Sequence, residues 1–125
     1  MSSVAELTTA VGDNAVDKIL VAAGTYDFTS NMCARSAICI DRALTIEAQV
    51  PGSVVLDAKG GRRVFYIQSG GTAELIGLNI TGGYASWEPN TWESPMHGGG
   101  IYIVGTATLT NTNVYSNQAL SLIHI

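Results

Sequence analysis

From Lys18 onward the chain is written in short runs of alternating or near-continuous apolar residues. They read "KILVAAG", "AICI", "LTIEA", "SVVLDA", "VFYIQS", "AELIGLNI", "GIYIVG" and "ATLTNTNV". Each is rich in Val, Ile, Leu or Thr and is bounded by Gly, Ser, Asn or Asp, which predicts a strand. The first residues follow a different period. Ser3 and Glu6 have the spacing of a capping box, and Val4, Leu7 and Val11 fall on one helical face. The pattern predicts a short helix that "GDNA" terminates, followed by strands alone.

Two of the runs repeat. "VFYIQSGGTAELIGLNITGG" aligns with "GIYIVGTATLTNTNVYSN", with Phe65 and Ile67 against Ile101 and Ile103. Ala73, Leu75, Asn79 and Ile80 then align with Ala107, Leu109, Asn113 and Val114 at a spacing of 34 residues. The first pair of matches is two residues further apart, so one turn is shorter in the second copy. Repetition of short strands separated by turn residues predicts stacked coils. Alternate residues then point inward and outward. Leu75, Leu78 and Ile80 line one coil, with Leu109, Thr112 and Val114 in the next. Gly and Asn take corners that need positive φ. Asn79, Asn113 and Asn117 are the candidate structural asparagines, and the pattern requires no catalysis.

With these residues in view, the chain resembles a known group. "KILVAAGTY", "LTIEA", "VVLDA", "VFYI" and "LIGLNITGG" resemble the opening of right-handed parallel β-helix proteins of the pectate-lyase-like superfamily. "GGGIYI" followed by "VYSN" is similar to the repeats of polymorphic outer-membrane and autotransporter passenger proteins. Val114 stands where those repeats prefer Phe, and Asn117 holds their Asn place. The resemblance implies an all-β fold, a right-handed parallel β-helix (β-solenoid) with a short N-terminal α-helical cap. The expected organisation is a cap over 1–13 and coils over 18–119, with an insertion loop at 83–98. The last six residues, "LSLIHI", resemble the translated end of a transposon adapter used for sequencing libraries. They are expected to be a non-native tail over 120–125, with the natural chain continuing past Ala119.

Charge and composition narrow the function. Charged residues are 13% of the chain, too few for a disordered segment. The net charge is −4, and the only basic pair, Arg62–Arg63, is too small for a nucleic-acid stripe. It reads as a solvated turn, the alternative being contact with an anionic glycan. No apolar run approaches the length of a membrane span. "MSSVAELTTAVGD" lacks the basic and apolar regions of a secretory signal. Cys33 and Cys39, in "NMCARSAIC", either close a small disulfide loop in an oxidising compartment or remain two thiols, with Cys39 buried on a strand.

The candidate chemistry is concentrated in "GGYASWEPNTWESPMHGG", which interrupts the repeat. Trp87 and Trp92 are the only tryptophans, and they stand beside Glu88 and Glu93. Tryptophan stacks on sugar rings and carboxylates bind sugar hydroxyls, so these four residues form the candidate binding set. The alternative is a loop that folds its tryptophans down as a lid. A glycosidase needs two carboxylates at fixed separation, which one loop supports poorly. His97 has no partner at metal-ligand spacing, so no metal or cofactor is expected. Lyases and hydrolases of the superfamily use clustered aspartates, a basic residue or a Gly-His-Gly motif. Asp41, Asp57, Glu47 and Glu74 form no paired-Asp motif, and Met96-His97-Gly98 is not Gly-His-Gly. Thr106, Thr108, Thr110 and Thr112 alternate as in an ice-binding face, but Thr72, Glu74, Ile76 and Leu78 at the matching positions spoil the array.

The expected function is a structural or adhesive module of a larger surface or secreted protein. It would contact polysaccharide or a surface protein, outside the cell or at its surface. The alternative is a fragment of a polysaccharide lyase or glycoside hydrolase with catalytic coils beyond this chain.

Overall fold

The computed structural model describes residues 3–33, 36–85, 100–115 and 118–119. Among the described residues the chain is mostly strand, with one short helix and parallel sheets. The elements are α1 (Val4–Val11), β1 (Lys18–Val21), β2 (Gly24–Asp27), β3 (Ser36–Ile40), β4 (Ala43–Ala48), β5 (Val54–Asp57) and β6 (Arg63–Ile67). They continue as β7 (Thr72–Ile76), β8 (Leu78–Thr81), β9 (Tyr84–Ala85), β10 (Ile101–Ile103), β11 (Thr106–Thr110), β12 (Asn113–Val114) and β13 (Gln118–Ala119).

Consecutive strands do not pair. The chain enters one sheet, passes to a second and a third, then returns to the first beside its own earlier strand. The first sheet has the order β1-β4-β7-β11, the second β12-β8-β5-β2 and the third β10-β6-β3, while β9 pairs with β13. All of these pairs are parallel. Their registers match the repeat read from the sequence: Phe65 lies beside Ile101, Leu75 beside Leu109, and Asn79 beside Asn113.

Parallel register stacks like on like. Ile19, Ile46, Leu75 and Leu109 form one inward column, and Tyr26, Leu56, Ile80 and Val114 form another. Ile38 or Ile40 meets Phe65 or Ile67 in the third sheet. In the first three circuits these side chains merge into one buried cluster. At about 25 cal/mol per Å² of apolar area removed from water, such columns are the main stabilising term of the fold.

The corners explain where the strand pattern was too coarse. "AELIGLNI" and "ATLTNTNV" each contain two strands, split at Gly77 (φ 73°) and Asn111 (φ 49°). A left-handed residue turns the chain into the next sheet within one position, and Gly and Asn tolerate that conformation best. The strand β2, "GTYD", was hidden by residues that read as turn formers. At another corner Gly71 and Gly105 stack closely. A Cβ on Gly71 would strike the Ile40 carbonyl, and one on Gly105 the Gly71 carbonyl.

The helix forms as its pattern predicts. Ser3 is the N-cap, and its Oγ accepts the Glu6 N–H at 3.1 Å. Leu7, Ala10 and Val11 are buried in the common core, and α1 lies against β1 and β3, the outermost strands of their sheets. Its C-terminus has no basic residue of its own. Arg42 supplies one from across the fold. Its Nη2 donates to the carbonyls of Val11 (2.9 Å) and Asp13 (2.8 Å), and its Nη1 to that of Val16. Orphan helix carbonyls and the negative end of the helix dipole are met by one guanidinium.

Arg62 and Arg63 are not a solvated turn. Arg62 donates to the carbonyls of Phe28 and Ala58 and to Asn31 Oδ1, fastening the segment after β2 onto the turn before β6. Arg63 is buried, with its guanidinium 5.0 Å from the centre of the Tyr102 ring, which in turn stacks on Tyr66. A basic pair in a turn looks exposed in sequence. Here the planar fork of Arg62 satisfies backbone carbonyls that the corners leave open, a task suited to arginine, while Arg63 lies over an aromatic ring.

Two outcomes follow. Arg42→Ala is expected to destabilise the fold by about 1.5–3 kcal/mol, the range for hydrogen bonds to a charged group. Arg42→Lys should recover only part, because it lacks the fork, and urea denaturation measures both. Separately, burial pushes the Tyr26 phenol up, with the Glu6 carboxylate adding to the effect, and its hydroxyl donates to the Ala22 carbonyl at 2.7 Å. A raised folded-state value favours the neutral phenol. Its contribution is complete below the unfolded value of about 10 and is lost as pH rises through the folded value. The thermal midpoint should fall more steeply above that pH in the wild type than in Tyr26→Phe.

Candidate functional site

The site that the described residues build is the outer face of the first sheet. Inward residues of β1, β4, β7 and β11 are apolar, so their neighbours along each strand point outward. Parallel register then sets those outward residues in rows. Lys18, Thr45, Glu74 and Thr108 make one row, and Leu20, Glu47, Ile76 and Thr110 the next. A third row holds Ala43, Thr72 and Thr106. Residues far apart in the chain thus become neighbours about 4.7–4.9 Å apart, the spacing of paired strands.

The rows are linked by polar contacts. Lys18 Nζ lies 3.1 Å from Glu47 Oε1, an exposed ion pair worth little to stability. Thr45 Oγ1 donates to Glu74 Oε1 at 3.3 Å. Between them lies an open groove of about 520 Å³ that includes Asp17, Lys18, Thr45, Thr72, Glu74 and Thr108 in its lining. It offers hydroxyls, two carboxylates and an ammonium on a rigid floor of strands. Such a surface hydrogen-bonds polyols well, since hydroxyls both donate and accept.

On this face the carboxylates are dispersed, whereas on the second sheet Asp27 and Asp57 are register neighbours. Glu47 pairs with Lys18, Glu74 accepts from Thr45, and Asp57 accepts the Lys59 N–H at 2.8 Å in the turn after β5. Among the described residues, no three His, Cys, Asp or Glu side chains lie together where they could hold a metal ion. The registers also set Thr106, Thr108 and Thr110 beside Thr72, Glu74 and Ile76, so the threonines form no two-dimensional array. Thr112, opposite Leu78, does not add to the lining. Its Oγ1 lies 3.0 Å from the carbonyls of Leu75 and Thr110 and near the Leu78 N–H.

Of the residues singled out in the sequence, Trp87, Glu88, Trp92, Glu93, His97 and Asn117 lie outside the described residues, as does the tail over 120–125. Asn79 and Asn113 come together. The Asn113 amide donates to Asn79 Oδ1 at 3.0 Å, while Asn79 Nδ2 donates to the carbonyls of Gly52 and Val54, both at 3.2 Å. Asn79 thus joins three successive circuits. Cys33 and Cys39 form a disulfide with a Cα separation of 6.1 Å. The row Lys18–Thr45–Glu74–Thr108 was missed because it crosses four strands, and the repeat visible in the sequence links only the last two. Among the described residues, no helix is long and apolar enough to cross a membrane.

Comparison with known protein families, with curated proteins and with solved structures finds no match. The geometry therefore carries the functional argument alone.

The asparagine pair generates a direct test. Asn79→Ala removes the donor to the exposed Gly52 carbonyl and to the part-buried Val54 carbonyl and should cost about 1–3 kcal/mol. Asn113→Ala, at an exposed position, should cost less than Asn79→Ala. Equal costs in denaturant titrations would mean that Asn79 does not tie the circuits together.

Proposed function

We propose that this chain is a right-handed parallel β-helix of the pectate-lyase-like kind, serving as a structural or adhesive module of a larger surface or secreted protein. The face formed by β1, β4, β7 and β11 contacts glycan. The right-handed sense rests on the general preference of crossover connections between parallel strands. The Cys33–Cys39 disulfide supports an oxidising location. α1 is the helical cap of the first coil.

The observation that carries this reading is the polar row Lys18–Thr45–Glu74–Thr108 on an in-register parallel sheet. Its hydroxyl, ammonium and carboxylate groups are spaced by strand pairing and held on rigid backbone, which suits recognition. Weakly charged, hydroxyl-rich faces match neutral sugars better than they match nucleic acid, which needs a basic stripe.

The test is retention on immobilised oligosaccharides. The wild-type chain should be held by a subset of neutral glycans. Glu74→Ala and Lys18→Ala should each weaken binding about tenfold, which is about 1.4 kcal/mol, while Thr25→Ala on the second sheet should not. Retention that is unchanged in the face variants would defeat the assignment of this face. Appearance of new reducing or unsaturated sugar ends would favour the lyase or hydrolase alternative.

A further inference from the structure

The groove on the first sheet is unevenly charged. Of the described basic side chains only Lys18 lines it, beside the carboxylates of Asp17 and Glu74. Lys18 is already answered, since its Nζ lies 3.1 Å from Glu47 Oε1 in the neighbouring row. Glu74 accepts from a neutral hydroxyl, that of Thr45. Among the described residues neither Asp17 nor Glu74 has a cationic partner. The other described basic residues do not restore the balance. Arg42 and Arg62 are held by backbone carbonyls, and Arg63 lies over the Tyr102 ring. Lys59 stands at the corner that leads from β5 to β6, between the second and third sheets.

We propose that the glycan taken by this groove carries amino sugars, whose protonated amines meet Glu74 and Asp17. The inference rests on the assignment of this face to glycan contact and names the class of glycan. A protonated amine offers donors alone, and an ionised carboxylate acceptors alone. The hydrogen bond between them is charge-assisted and roughly twice as strong as a neutral one. A sugar carrying hydroxyls alone makes the weaker bond at both places. A uronic acid or a sulfated sugar sets an anion against two carboxylates, and the chain's net charge of −4 opposes its approach. The two carboxylates are not a single cluster. Asp17 immediately precedes β1, Glu74 is on β7, and β4 runs between them. Their backbones stand two strand spacings apart, about 4.7–4.9 Å each, so an oligomer of amino sugars engages both where one sugar engages one. The hydroxyls of Thr45, Thr72 and Thr108 in the same groove serve the ring hydroxyls.

The experiment is isothermal titration calorimetry of the full chain with three tetrasaccharides of one linkage, at a mildly acidic pH where a sugar amine is protonated. They are the tetramers of glucosamine, of N-acetylglucosamine and of glucose, which differ only in the group at one ring position. The glucosamine tetramer should bind about tenfold more tightly than either neutral form, and added salt should shrink that advantage. Glu74→Gln and Asp17→Asn keep size and remove charge. Each should lower the ratio of affinities, whatever it does to the absolute values, with circular dichroism reporting the fold. Neutral tetramers that bind as tightly as the amine would overturn the proposal and leave the glycan face standing. So would tighter binding of a galacturonate tetramer, an equal affinity for tetralysine, or a ratio unchanged in both variants. If none of the sugars binds, the glycan face itself fails and this inference with it.

Discussion

Each strand in this protein makes its sheet hydrogen bonds with a strand one circuit away, in parallel and in register. An inward residue therefore sits on the inward residue of the circuit before it. Ile19, Ile46 and Leu75 are acceptable because each covers the next. A charge in that column would be buried between two apolar layers, where an ion without a partner is expensive. Outward positions escape this rule, which is why Lys18, Thr45, Glu74 and Thr108 can share a row without chemical likeness. The same register that compels uniformity inside permits variety outside.

The register has a second demand, at the corners. Successive strands lie in different sheets, so the chain must turn within one or a few residues, and each turn leaves carbonyls without strand partners. The protein meets this with a small set of side chains acting over long distances in sequence. Arg62 gathers the carbonyls of Phe28 and Ala58, and Asn79 those of Gly52 and Val54. Arg42 does the same for the end of α1. Charged residues are scarce in this chain, and two of its arginines are spent on its own backbone. Arg62 therefore does not form the solvated turn that its place in the sequence implied.

What was legible follows from these constraints. The strand pattern, the helix with its Ser3 cap and the alignment of Leu75 with Leu109 were readable because each depends on local periodicity or on a repeat that survives in the residues. The split of "AELIGLNI" at Gly77 was not, since an apolar run looks the same whether or not it turns a corner. Equivalence of β1 with β4 was hidden too: "KILV" and "TIEA" share only inward apolar character. The outer row could not be assembled without that equivalence. The roles of Arg42 and Arg62 depend on carbonyls some thirty residues away, and no local signal encodes such a partner.

A stack of this kind separates its two surfaces by chemistry. The lateral faces are covered by outward side chains, which can change row by row without disturbing the core. The inward positions are different. Ile103, Leu109 and Val114 are residues whose type the inward columns dictate. The circuit of β10, β11 and β12 cannot become polar inside without losing the layer that covers Ile67, Leu75 and Ile80. Any layer set on those columns has to accept an apolar surface and strand edges. At the first end a helix does so, held by the guanidinium of Arg42. Residues 100–115 carry no charge, in keeping with strands whose inward side chains continue apolar columns. Inward and outward positions of the stack thus answer to separate constraints, the first set by the residue one circuit away and the second free to vary row by row.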